Sequence, residues 1–191
     1  DRQRRRPRLA DRPRTGDQIA VSISGFSVRP VEGLPEVDEG FNLGAAIANL
    51  TGLASGDVVA ISQKVVSKAE GRSVGLGSID PGQEAGSLAQ ELGKDPRLVE
   101  LILREATSVV RTDPERGILI TETRHGFICA NSGIDASNVD GEDIVLLLPE
   151  DADASARRIR DEIEAAASVR PAVLISDSFG RAWRTGQAEV A

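Results

Sequence analysis

Aromatic side chains are nearly missing from this sequence. They make up 3% of it, with one Trp, four Phe and no Tyr. A core must therefore be built from Val, Ile, Leu and Ala, and little surface remains for stacking bases, which argues against a single-stranded nucleic-acid binder. Methionine is absent and cysteine occurs once, as Cys129. One thiol cannot form a disulfide framework within the chain, which fits a reducing compartment, so a cytoplasmic location is expected. No apolar run approaches the roughly 20 residues of a membrane span. The Arg-rich start has no apolar stretch behind it, as a secretory signal would. There is no G-x-x-x-x-G-K-[ST] loop, so this is not a P-loop nucleotide fold, and no Cys/His cluster is spaced for zinc.

What is present suits a soluble globular protein: 191 residues, 40% hydrophobic and 28% charged. The net charge of -7 is unevenly spread, because residues 1–17 carry seven Arg against Asp1, Asp11 and Asp17. That segment reads as a solvated, disordered arm broken by Pro7, with a nucleic-acid tail as the alternative. The acidic body repels polyphosphate at long range, so a nucleotide would need divalent cations to bind.

Folded structure is expected from Gln18. Ile19, Val21 and Ile23 alternate as in a half-buried strand, and Gly33-Leu34-Pro35 reads as a turn. Leu43, Ala46, Ile47 and Leu50 share a helical face that Gly52 closes. Val58 to Ile61 reads as a buried strand, residues 73–82 as a Gly-rich loop, and Asp95-Pro96 as a helix start. Ile118 to Thr121 and Phe127 to Ala130 read as a hairpin across Arg124-His125-Gly126. Ile144 to Leu148 is a strand ended by Pro149, and Asp153 caps a helix running to about Ala167. Val173 to Ile175 is the last strand, with Asp177 just past its end. Intermixed strands, hairpins and helices predict an α+β fold, a mixed and largely antiparallel sheet with packed helices.

Three features could carry chemistry. Lys is scarce, three against 20 Arg, yet Lys64 and Lys68 lie four apart beside a strand end. Compact ammonium charges suit phosphate, although a solvated basic face would look the same. Asp135 and Asn138, in Gly133-Ile134-Asp135-Ala136-Ser137-Asn138, offer hard oxygen for magnesium or a nucleotide, or form an ordinary Asx turn. Asp177-Ser178 at a strand end could hold a metal, with Arg181 and Arg184 on phosphate or carboxylate groups and Trp183 between them. The alternative is a capped strand end with surface arginines. His125 is placed at a hairpin tip, and Cys129 reads as buried and inert.

These stretches resemble the coenzyme F-420-0:L-glutamate ligase family. The matching segments, in the family's order, are Gly33-Leu34-Pro35, Lys64 to Arg72, Ile120 to Gly126, Gly133 to Val139, Leu147 to Asp151 and Asp177 to Arg184. The resemblance implies attachment of L-glutamate to the deazaflavin precursor of coenzyme F-420, with gamma-linked additions to follow and GTP converted to GDP. It implies GTP contacts at Leu34, Pro35, Glu36, Val37, Gln63, Lys68 and Asn138. It also implies magnesium or manganese held by Asp135, Asp177 and Ser178, with K+ as a further candidate ion. Lys68, Asp135 and Asp177 would carry the catalysis in a homodimer that needs neither membrane nor nucleic acid. The two carboxylates should then face one cleft bordered by Lys68. Because the chain has no Met and stops within a motif, residues 18–191 are expected to be the N-terminal part of a longer ligase domain. The rival readings are a metal-dependent phosphohydrolase using Asp135 and Asp177, and a non-catalytic nucleotide-binding module.

Overall fold

The computed structural model describes residues 25–135 and 143–177. The expected strand at Ile19 to Ile23 and the Arg-rich arm lie outside them. The chain divides into two units, residues 1–32 and residues 33–191. In the first, the described residues begin with a turn at Gly25 and continue without a helix or a named strand.

The second unit opens with helix α1 (Leu43–Leu50), whose first turn is satisfied when the Asn42 side chain accepts the Ala45 N–H at 2.8 Å. Its end differs from expectation. The C-cap is Thr51 in an extended conformation, and Gly52 adopts no left-handed turn. Strand β1 (Val58–Ser62) runs without a loop into helix α2 (Gln63–Ala69). The expected loop at 73–82 contains strand β2 (Ser73–Gly75) and a short 3-10 turn. Helix α3 (Gln83–Leu92) follows and ends at Gly93, which supplies the left-handed C-cap at φ 63°. Helix α4 (Pro96–Glu105) begins at the expected cap, Asp95, whose carboxylate accepts the Arg97 N–H at 2.8 Å. The Arg97 guanidinium, bonded to the same carboxylate, holds Asp95 below the usual carboxylate range.

Strand β3 (Ala106–Asp113) pairs antiparallel with β4 (Ile118–Thr123), which forms the expected hairpin with β5 (Ile128–Ala130). Strand β6 (Ile144–Leu146) pairs antiparallel with β2. Helix α5 (Ala152–Ala167) is capped by Asp151, not Asp153, because Asp151 stands before the first turn, where its carboxylate accepts the Ala154 N–H at 2.8 Å. Strand β7 (Ala172–Ser176) pairs parallel with β1. The α+β reading holds, but its mixed character is distributed over three small sheets among the described residues.

Leu43, Ile47, Val59, Ile61, Val66, Ile159, Ile163 and Ile175 form the main core, where α1, α2 and α5 pack on the β1–β7 pair. A second cluster joins α3, α4 and Leu119 of β4. Helices α1 and α5 touch almost backbone to backbone at Gly44, where an added Cβ would lie 2.4 Å from Glu162 Cβ and 2.5 Å from the Ile159 carbonyl oxygen. The Gly44 N–H donates to the Glu162 carboxylate at 2.9 Å.

Candidate metal and nucleotide site

Strands β1 and β7 end level with each other, Ser62 beside Ser176. The carboxyl ends of parallel strands are a favoured place for ligands. Here α2 starts at one strand end and Asp177 follows the other. Lys64, in the first turn of α2, reaches Asp135 with its ammonium 2.7 Å from Oδ2, and the two side chains are 27% and 29% exposed. Both carboxylates are thus tied to the start of α2, Asp135 by an ion pair and Asp177 by strand register.

One turn further on, Lys68 forms an ion pair with Glu36. Glu36 sits in the segment Leu34-Pro35-Glu36-Val37, which is anchored because Val37 is buried and Leu34 packs on the main core. Pro35 and Glu36 remain exposed. Gln63 behaves differently. It is buried, and its amide nitrogen donates to Ser67 Oγ at 2.6 Å and to the Leu147 carbonyl at 3.2 Å. Both amide protons are committed within the protein, so the side-chain NH2 has nothing left to donate to a nucleotide. Ser67 Oγ donates to the same carbonyl at 2.7 Å, which fixes α2 to the segment after β6.

Asp135 is held by its backbone as well, exchanging two hydrogen bonds with Leu146 at 3.0 and 2.8 Å. The chain reaches it through Asn131, Ser132 and Gly133, three successive residues in the left-handed region with φ of 53°, 53° and 72°. For the two that are not glycine, such geometry costs of order 1–3 kcal/mol each. Ser132 is buried and makes three bonds, all within the protein. Its N–H donates to Thr121 Oγ1 at 3.0 Å, its hydroxyl donates to the Ile102 carbonyl at 2.9 Å, and it shares a hydrogen bond with Thr121 Oγ1 at 2.8 Å. Sequence reading missed this lock. The Asn131-Ser132-Gly133 tripeptide was its only visible signal, since Thr121 and Ile102 are remote in sequence.

Asp177 also makes itself felt at Cys129 on β5, whose thiol is pushed up to about 11 by burial and then by the Asp177 charge. This fits the expectation of a buried, inert thiol. His125 stands at the hairpin tip, stacked on Phe127 with ring centroids 5.9 Å apart and its Nε2 3.0 Å from the Glu150 carbonyl. Asn138, Ser178, Arg181, Trp183 and Arg184 lie outside the described residues.

Among the described residues no group of three or more His, Cys, Asp or Glu side chains converges as a metal cage. Two carboxylates are nevertheless a suitable donor set for magnesium. That ion keeps several waters and is commonly bound through one or two carboxylates together with substrate phosphates. In this structure the Asp135 carboxylate is paired with the Lys64 ammonium, which a bound cation would have to share or displace.

The model of a family described as F420-0:Gamma-glutamyl ligase matches residues 33–191. The chain belongs to that family. Among its relatives named coenzyme F420:L-glutamate ligase, the protein of Methanopyrus kandleri is 45% identical over 172 residues, covering 88% of this chain and 67% of the relative. The protein of Methanothermobacter thermautotrophicus is 41% identical over 172 residues, covering 87% and 67%. That of Methanocaldococcus jannaschii is 42% identical over 153 residues, covering 80% and 59%. The chain thus spans about two thirds of the length of these relatives or less.

Within the matched region the stretch from Lys64 to Arg72 divides into two tasks. Lys64 and Lys68 project toward the candidate site, whereas Glu70, Gly71 and Arg72 hold the body together. Glu70 accepts from Ser155 Oγ at 2.5 Å and from Arg158 at 2.8 Å. Gly71 adopts φ 66°, with Glu39 where a Cβ would stand. Arg72 joins the Leu148 carbonyl at 2.9 Å to Glu105 at 3.1 Å and Glu150 at 3.2 Å. No helix among the described residues is long and apolar enough to cross a membrane.

Proposed function

We propose that the chain is the part of a GTP-dependent ligase that holds the triphosphate and its metal while L-glutamate is joined to the deazaflavin precursor of coenzyme F-420. The observation that carries this is the convergence of Lys64–Asp135, Lys68–Glu36 and the end of β7 on one short helix, in a chain whose relatives are named glutamate ligases. A carboxylate does not condense with an amine in water unaided. In the proposed reaction an acceptor carboxylate oxygen attacks the terminal phosphorus of GTP, the bond to the GDP oxygen breaks, and an acyl phosphate forms. The glutamate amine then attacks the acyl carbon, phosphate leaves, and the nitrogen gives up a proton to yield the amide.

Phosphoryl transfer of this kind needs positioning and charge neutralisation more than covalent help from the protein. Lys68 is placed to turn from Glu36 to a phosphate oxygen. Leu34-Pro35-Glu36-Val37 is fixed beside it and presents its exposed backbone to the nucleotide. Asp135 and Asp177 would hold magnesium or manganese, with Ser178 and Asn138 completing the metal and nucleotide contacts. The bound cation supplies charge stabilisation on the transferring phosphoryl oxygens. Location in the cytoplasm and action as a homodimer belong to the same reading. The test is a ligation assay with GTP, manganese, L-glutamate and the deazaflavin acceptor. An amide product formed together with GDP is expected. Phosphate release with no amide would favour a phosphohydrolase, and GTP binding without turnover a binding module.

A further inference from the structure

Neither the proposed reaction nor the packing of the core accounts for the left-handed turn at Asn131-Ser132-Gly133 and the two buried hydroxyls that grip it. Ordinary turns of this length avoid three consecutive left-handed residues, because L side chains collide with the backbone there. The turn persists because its surroundings over-determine it. Helix α4 closes with an Ala106 N–H to Leu103 carbonyl bond, which diverts the donor that an α-helix would direct to Ile102. The Ser132 hydroxyl takes its place on the Ile102 carbonyl, 2.9 Å away.

The proton assignment then has one solution. A carbonyl only accepts, so the single Ser132 proton goes to Ile102. Thr121 must therefore donate to Ser132 Oγ across 2.8 Å, while Thr121 Oγ1 accepts the Ser132 N–H at 3.0 Å. Both residues are fully or almost fully buried, Thr121 at 0% and Ser132 at 2% exposure, so no water competes for these bonds. On the other side Gly133 lies against Leu148, whose Cδ1 would be 2.8 Å from an added Cβ. The Ile134 N–H closes onto the Asn131 carbonyl at 2.9 Å, and the next residue is Asp135, clamped to Leu146 and facing Lys64.

The geometry points to Thr121 and Ser132 as positioning residues for Asp135: their hydroxyl relay holds a strained turn that sets where the Asp135 carboxylate stands for a divalent cation. This rests on the reading of Asp135 as a metal ligand. Strain concentrated immediately before a ligand is how a site is kept in one arrangement in the absence of its ion. Both hydroxyls are buried and committed within the protein. Both act through the backbone, so the expected loss is in metal affinity and not in the chemistry of the ligand itself.

The experiment is Mn2+ binding to the apo chain, read by the paramagnetic signal of free manganese, together with thermal unfolding in chelator. Thr121→Val keeps the shape and removes the relay. Ser132→Gly removes the hydroxyl at a backbone conformation that glycine adopts freely, so it folds even where the Val variant does not. Both are expected to weaken Mn2+ binding roughly ten- to a hundredfold, as removal of outer-sphere support does. Thr121→Ser should restore binding. A core variant such as Ile159→Val, matched for loss of stability, should leave binding unchanged. Asp135→Asn separates the two claims. If it abolishes binding while the Thr121 and Ser132 variants bind normally, the positioning role is overturned and the metal reading stands. If Asp135→Asn binds Mn2+ normally, or the native chain takes up none, the metal reading falls and the positioning role with it.

Discussion

At the scale of single residues, the most telling probe of the site is the thiol beside it. Burial and the Asp177 charge raise Cys129 from an ordinary 9.0 to about 11. An unfolded chain loses this proton first as pH rises, so the native state holds it more tightly. The associated stability is fully present below about 9 and is lost as pH climbs through about 11. The urea midpoint should therefore fall across that window, and less so in Cys129→Ala. The absence of Tyr leaves the thiolate absorbance unobscured, which makes a direct titration practicable. Asp177→Asn should shift that titration downward. No shift would mean that Asp177 does not face the interior between β5 and β7. Lys68 supplies the second residue-level test. Replacing it with Ala removes a charge-assisted hydrogen bond worth about 1.5–3 kcal/mol, a ten- to hundredfold loss of GTP affinity, whereas Lys94→Ala should change nothing. Equal binding by both variants in a nucleotide titration would remove Lys68 from the site.

Among elements, the contact of α1 with α5 is the least tolerant. Gly44 leaves no room for a Cβ against the Glu162 side chain and the Ile159 backbone. Gly44→Ala must push the helices apart and break the bond from its N–H to Glu162. A loss of about 1–3 kcal/mol or more follows from overpacking alone, visible as a lower urea midpoint. A variant as stable as the parent would show that the helices can slide. Elements with a clear periodic face were legible in the sequence: α1 from Leu43 and Ile47, α4 from the Asp95-Pro96 start, and β7 from its apolar run. Helix α3 was not read, because its buried face is made of Ala85 and Ala89 and is interrupted by Gly86, although Leu92 and Gly93 mark its end. Strand β3 escaped because five successive residues are exposed, so no alternation betrays it. At the site, Lys64, Lys68, Asp135 and Asp177 were legible as candidates for chemistry. The lock on Asp135 was not, since it joins Ile102, Thr121 and Ser132 across elements and uses hydroxyls that read as neutral strand and turn residues.

For the molecule as a whole, charge makes the proposed binding of GTP conditional. A net charge of -7 opposes a triphosphate unless cations stand between them. Calorimetric titration should therefore detect GTP binding in magnesium or manganese and a loss of tenfold or more in excess EDTA. Equal affinity in both would remove the metals from the binding step. The parallel pairing that brings Asp177 to α2 carries a further consequence, for synthesis and refolding. Val58 meets Ala172 across more than a hundred intervening residues. Contacts of such long range are slow to form, because the loop must close before any of its pairing is gained. During translation β1 therefore waits, with its pairing edge open, until nearly all of this chain has been made. Refolding from denaturant should show the α3–α4 and β3–β4 region, built from near neighbours, gaining protection from hydrogen exchange before β1 and β7. A chain stopped short of Ala172 should be recognised by chaperones as unfinished.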